Sequence, residues 1–130
     1  MQSCRITITT SVDGQETQTM RQGKMLLSSA SVTLTYQEDG DEVVLFLENG
    51  KGKMKRTGNQ CLTVPFDVKA SMQGEIVVGG MRGTMGVQTH AVAFSIGKQS
   101  MLAQLHYDLI FGQEKQTMRL RIHACAINNR

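Results

Sequence analysis

Aromatic residues are scarce in this chain: no tryptophan, two tyrosines and four phenylalanines in 130 residues. A core of stacked rings is therefore excluded, as is a row of aromatic platforms for single-stranded nucleic acid. Proline occurs once, so there is no proline-rich linker. No apolar run is long enough to span a bilayer as a helix. The start, Met1-Gln2-Ser3-Cys4-Arg5, lacks the apolar centre of a signal peptide, which makes the cytoplasm the expected location. The three cysteines, Cys4, Cys61 and Cys125, lie far apart without CxxC spacing. They read as reduced thiols, each expected to be buried. No Cys/His cluster points to zinc. The net charge of +3 is too small to argue for nucleic acid by itself. Neither a GxSxG elbow nor a nucleophile–base pair is visible. The reading therefore expects no catalytic residue, cofactor or metal, and leans against an enzyme.

Methionine is plentiful, with nine residues. Together with Leu, Val and Ile it must supply the core, and its flexible thioether also suits a tolerant cavity. The apolar residues follow a period of two. From Met101 the odd positions Met101, Ala103, Leu105, Tyr107, Leu109 and Phe111 are apolar. After Gly112-Gln113-Glu114-Lys115 the even positions Met118, Leu120, Ile122, Ala124 and Ala126 take over. Opposed residues of an antiparallel pair share a face, so the two runs form a hairpin. A turn at Gln113-Glu114 pairs Leu109 with Met118. A turn at Gly112-Gln113 shifts the partner by two, and glycine at the first turn position favours this register.

The rest of the chain repeats the pattern. Strands are expected at Cys4–Thr10, weakly at Gln15–Met25 with Arg21 and Lys24 facing water, and at Ser31–Tyr36. Glu42–Glu48 is apolar on both faces, as a strand covered on both sides is. Further strands follow at Lys51–Arg56, Gln60–Phe66, Glu75–Val78 and Gly83–Ile96, with turns at Asp13-Gly14, Asn49-Gly50 and Gly79-Gly80. Asp67–Gly74 reads as a loop or a short helical turn. In Gly83–Ile96 the apolar parity changes from Met85 and Val87 to Val92, Phe94 and Ile96, which predicts a bulge near Thr89-His90. No helix-period segment appears. The expected fold is all-β: a single antiparallel, mostly up-and-down β-barrel of about eight to ten strands, one domain over 1–130. A leftover edge strand would provide the surface for a homodimer.

Four short pieces carry a family resemblance: Leu34-x-Tyr36-x-Glu38; Arg56-x-Gly58 with Leu62 and Phe66; Gly83-x-Met85-x-Val87-x-Thr89; and Leu105-x-Tyr107-Asp108-Leu109. In order and spacing, from about Ile6 to His123, the chain resembles the YwiB-like family of bacterial proteins of unknown function. The resemblance implies a calycin-like, or lipocalin-like, β-barrel and brings no activity. It departs from the family's pattern at Arg82, where relatives carry an aromatic, and at Gly79-Gly80, where they carry bulkier residues.

The expected ligand-binding positions are Tyr36, Glu38, Arg56, Arg82 and Tyr107, around a barrel mouth taking a small apolar or amphipathic ligand. Arg56 either holds an anion or pairs with Glu38 while Gly58 makes the turn. His106, Asp108, Arg119, Arg121 and His123 share a polar face, either an acid–base or phosphate patch or the solvated outer wall; alternation requires such a face, so the wall is adopted. His90 has no ligand-spaced partner. The alternative function is a protein- or RNA-interaction module on the basic strand 51–56, with Lys51, Lys53, Lys55 and Arg56; no aromatic interleaves the run, which weighs against nucleic acid.

Overall fold

The computed structural model describes residues 1–127. It has ten strands: β1 (Gln2–Val12), β2 (Gln15–Leu27), β3 (Val32–Glu38), β4 (Asp41–Glu48), β5 (Lys51–Thr57), β6 (Gln60–Asp67), β7 (Met72–Val78), β8 (Met81–Ile96), β9 (Ser100–Phe111) and β10 (Glu114–Ala126). Each pairs antiparallel with its sequence neighbours, and β1 pairs with β10, from Cys4 opposite Ala126 to Val12 opposite Met118. The sheet is thus a closed up-and-down barrel. Among the described residues no helix is long and apolar enough to cross a membrane.

The β9–β10 hairpin adopts the register that glycine favours. Gly112 has φ +62°, and Tyr107 faces Met118 while Leu105 faces Leu120. The bulge falls between Thr89 and Ala91. It leaves His90 without a partner and turns Val92 inward, so Met85 and Val87 before it and Val92 after it all reach the core. Ala91 and Ala93 accordingly face outward.

Several expectations are corrected. β7 begins at Met72, and only Val68–Ser71 connect β6 to it; its alternation is hidden because an inward position is taken by Gly74, which has no side chain to show it. β2 is a full strand in which Arg21 lies opposite Ile6 and shares its inward face. β4 is not covered on both sides: Val43, Leu45 and Leu47 are core, whereas Phe46 is 37% exposed on the outer wall. Of the cysteines only Cys4 is buried; Cys61 is partly exposed and Cys125 exposed. Alternation explains this, since Cys61 and Cys125 stand on the outward parity of β6 and β10.

Pro65 lies within β6, opposite Lys53. It is tolerated because β6 pairs with β7 only through Thr63, so no β7 partner beside it needs its missing N–H. Closure leaves free stretches, since β2 meets β3 only from Gly23 to Leu27, β6 meets β7 only as far as Thr63 and β8 meets β7 only as far as Val87.

The two ends of the barrel differ. Where β1 begins, Cys4, Met25, Val32, Leu34, Leu45, Leu47, Phe66 and Met101 are sealed from solvent and fill the bore. At the opposite end, which carries the turns Asp13-Gly14, Asp39-Gly40 and Gly112-Gln113, the bore is unfilled.

Candidate functional site

The unfilled end encloses a cavity of about 310 Å³. Its walls are the inward residues of eight strands, β1 to β6, β9 and β10: Ile8, Tyr36, Val43, Met54, Leu62, Tyr107, Leu109 and Met118 among them. Thr10, Thr17, Thr19, Glu38 and Arg56 stand nearer the mouth. An apolar pocket with a few polar groups at one side is the usual form of a small-molecule site.

The polar rim is built on a tight turn. Asp39 and Gly40 both have positive φ, +52° and +84°, the signature of a two-residue type I′ hairpin turn. The next residue, Asp41, starts β4 on the inward parity of Val43 and Leu45 and is only 2% exposed. A buried carboxylate needs partners, and Asp41 has three. It accepts hydrogen bonds from Arg56 Nε at 2.9 Å, Asn59 N at 2.8 Å and Gln60 N at 3.3 Å. The bond from Arg56, then that from Asn59, holds its carboxyl below the usual carboxylate range. The carboxylate sits so close to Gly58 that a Cβ there would run into it.

Arg56 reaches on to Glu38 with Nη1 to Oε2 at 3.4 Å and Nη2 to the carbonyl oxygen at 3.4 Å. Arg21 approaches the other Glu38 oxygen at 3.6 Å. The expected Arg56–Glu38 pair is present, but the main partner of Arg56 is Asp41, which sequence reasoning missed. Its signal was legible, because Asp41 shares the parity of Val43, Leu45 and Leu47. The chain Arg21–Glu38–Arg56–Asp41 balances two positive against two negative groups, so the rim does not by itself select an anion.

Tyr36 and Tyr107 are deeply placed. Burial, and then the Glu38 charge, pushes the Tyr36 phenol up to about 12; burial raises that of Tyr107 as well. Both stay protonated at neutral pH and are donors. The Tyr107 ring packs against Phe66 with centroids 4.8 Å apart. Among the described residues no buried side-chain polar atom is without a partner and neither phenol is bonded to a protein group; their oxygens therefore open on the cavity that both tyrosines line. Arg82 does not join this set. It stands on the outer wall, 74% exposed, with Nε 3.0 Å from Glu75 Oε1, because Gly83, Met85 and Val87 take the inward parity of β8.

The polar face of β9–β10 is the outer wall, as alternation requires. Within it Asp108 is only 3% exposed. His90 Nε2 lies 2.8 Å from Asp108 Oδ2, and Thr117 Oγ1 donates to Oδ1 at 3.0 Å. Burial opposes its charge, but these hydrogen bonds outweigh burial and hold its carboxyl low. His90, which lacks a partner in sequence, thus acquires one through the bulge. Its ring also lies 4.7 Å from that of His106. On the basic strand, Phe46 of β4 is directly opposite Lys53; the aromatic missing along the run is supplied across it.

A closed ten-stranded barrel, packed at one end and hollow at the other, is the class that these features define. The chain belongs to the DUF1934 family, a domain of unknown function, whose model matches residues 3–122. The crystal structure of the YwiB protein from Bacillus subtilis is similar, with a TM-score of 0.85 over 98% of this chain and 93% of that one, at 13% identity. That likeness shows the fold, and it agrees with the family read from the four motifs. The S-type phycobiliprotein lyase CPES from Guillardia theta aligns over 100% of this chain and 89% of that one, at 8% identity and a TM-score of 0.45, too low to bear on function. No curated protein matches the chain.

Proposed function

We propose that this chain is a non-enzymatic binding barrel that takes one small apolar or amphipathic molecule into its hollow end. The observation that carries the reading is the cavity of about 310 Å³ with two protonated, protein-unbonded phenols, Tyr36 and Tyr107, opening on it. Apolar walls favour a hydrocarbon or ring portion of the guest. The two phenols favour an acceptor oxygen or nitrogen on it, since a pocket built to hydrogen-bond a group discriminates strongly against guests lacking it. Glu38 and Arg56 close the mouth as a balanced pair. Three unpaired thiols support a reducing, cytoplasmic setting for this activity.

Titration with the dye 1-anilinonaphthalene-8-sulfonate, together with native mass spectrometry of the freshly purified protein, tests the proposal. One saturable dye site is expected, weakened at least ten-fold in Met118→Trp, which fills the cavity. Equal dye binding by the filled variant, with no added mass in the native spectrum, would overturn it.

A second reading, the interaction module on strand 51–56, is supported by one observation: Phe46 lies across from Lys53, flanked on the same outer wall by Lys51 and Lys55. A ring beside cations is the arrangement that stacks a base and neutralises its phosphate. Binding of a fluorescent single-stranded RNA that weakens with salt and is lost on changing the three lysines to Glu supports this reading; no binding at low salt removes it.

A further inference from the structure

The outer wall of β8, β9, β10 and β1 is not evenly convex. A second cavity of about 360 Å³ lies there, separated from the barrel bore by the sheet itself. Two cross-strand rows build it. One runs Ala91, His106, Arg119, Ser11; the other runs Ala93, Gln104, Arg121, Thr9. The small residues at the ends of each row leave a trough over the long side chains in the middle. Thr9 shows the recess: it faces outward, yet is only 8% exposed.

The trough is rich in donors and poor in negative charge. Arg119 and Arg121 are adjacent on one face of β10, and neither makes an ion pair among the described residues. Asp108, the nearest carboxylate on β9, is buried and spent on His90 and Thr117. Glu16 lines the far edge. The paired rings of His90 and His106 would otherwise suggest a metal ion. Arg119 opposite His106 opposes a cation there, and no group of three ligating residues is placed to hold one among the described residues. The imidazole of His106 is held low by burial and then by the Arg119 charge.

We propose that this trough is a binding site for a phosphate group, held by Arg119 and Arg121 with His106 and Gln104 as further hydrogen-bond partners. Arginine suits the role because its planar fork matches two phosphate oxygens at once. The bulge at His90 is part of the site. By carrying Val92 inward it sets Ala91, a methyl group, opposite His106, and it brings His90 over Asp108, whose Oδ2 it occupies.

Backbone amide NMR shifts on titration with inorganic phosphate, ribose 5-phosphate and ribose test the site. Saturable shifts are expected at residues 104–106 and 119–121 with both phosphates and none with ribose. Tighter binding of ribose 5-phosphate assigns the site to a phosphomonoester, and equal or tighter binding of inorganic phosphate assigns it to the free ion; either supports the proposal. The double variant Arg119→Gln, Arg121→Gln should lose at least ten-fold in affinity while melting as the parent does, since both side chains are on the outer wall. A Lys53→Gln, Lys55→Gln control should bind as the parent does. No saturable shift at millimolar phosphate, or an equal loss in the lysine control, would overturn the proposal. The bore plays no part, so Met118→Trp should leave phosphate binding unchanged.

Discussion

Asp41 is the residue on which the mouth of the barrel depends. Its carboxylate joins β4 to Arg56 and to the backbone of the β5–β6 turn. Because its folded-state pKa is depressed, its contribution is complete above the unfolded carboxylate value of about 3.9 and is lost as pH falls through the lower folded value. The stability gap between the parent and Asp41→Asn should therefore be constant from pH 7 to 5 and close on further acidification. Urea melts at several pH values check this, and a gap that does not narrow as pH falls below about 3.9 would contradict it. Gly58→Ala drives a methyl group into the same carboxylate at φ +151° and should cost more than about 1 kcal/mol in the same melts. The thiols make a separate test. Burial raises the Cys4 thiol, so alkylation followed by peptide mapping should label Cys125 first, Cys61 next and Cys4 only in denaturant.

β8 is the element whose sequence carries the most information. It changes faces once, at His90, and the barrel tolerates this because a bulge adds one residue to a single strand. His90→Ala keeps that extra residue and removes only a partly exposed partner of Asp108, so it should cost about 1 kcal/mol or less. Deleting residue 90 removes the extra residue, so that Ala91 follows Thr89 directly, opposite His106, and Val92, Phe94 and Ile96 stay inward. Both the deletion and His90→Ala should therefore keep the cooperative thermal transition seen by circular dichroism, and its loss in the deletion variant would contradict this account of the bulge. β2 carries the opposite lesson. Its polar sequence forms a 13-residue strand because β1 offers it a full ladder, and Arg21 is drawn inward by Glu38.

At the scale of the molecule, closure is decided by the pairing of β1 with β10, the two ends of the chain. All other ladders join consecutive strands and are local. A barrel that closes through its termini must lose much chain entropy before that last ladder forms. Stopped-flow refolding should accordingly be in the range of milliseconds to seconds, as for other sheets dominated by non-local pairing. Removing residues 1–12 should eliminate the cooperative melt, because β2 and β10 would then both expose an unpaired edge and the core would lose Cys4, Ile6 and Ile8.

The period-two pattern by itself determined the strands, the favoured hairpin register, the bulge and the inward set of Leu105, Tyr107, Leu120 and Ile122, because alternation is a local property that each strand reports alone. The four motifs determined the family. It took the tertiary structure to decide which polar residues meet. Asp41 and Arg56 lie 15 positions apart and His90 and Asp108 lie 18 apart, on strands whose stagger no single strand encodes. The same holds for the difference between the two ends. Whether a bore is filled depends on the summed volumes of side chains from all ten strands. At one end Phe66, Met25 and Met101 meet that volume, and at the other Tyr36 and Tyr107 leave it open.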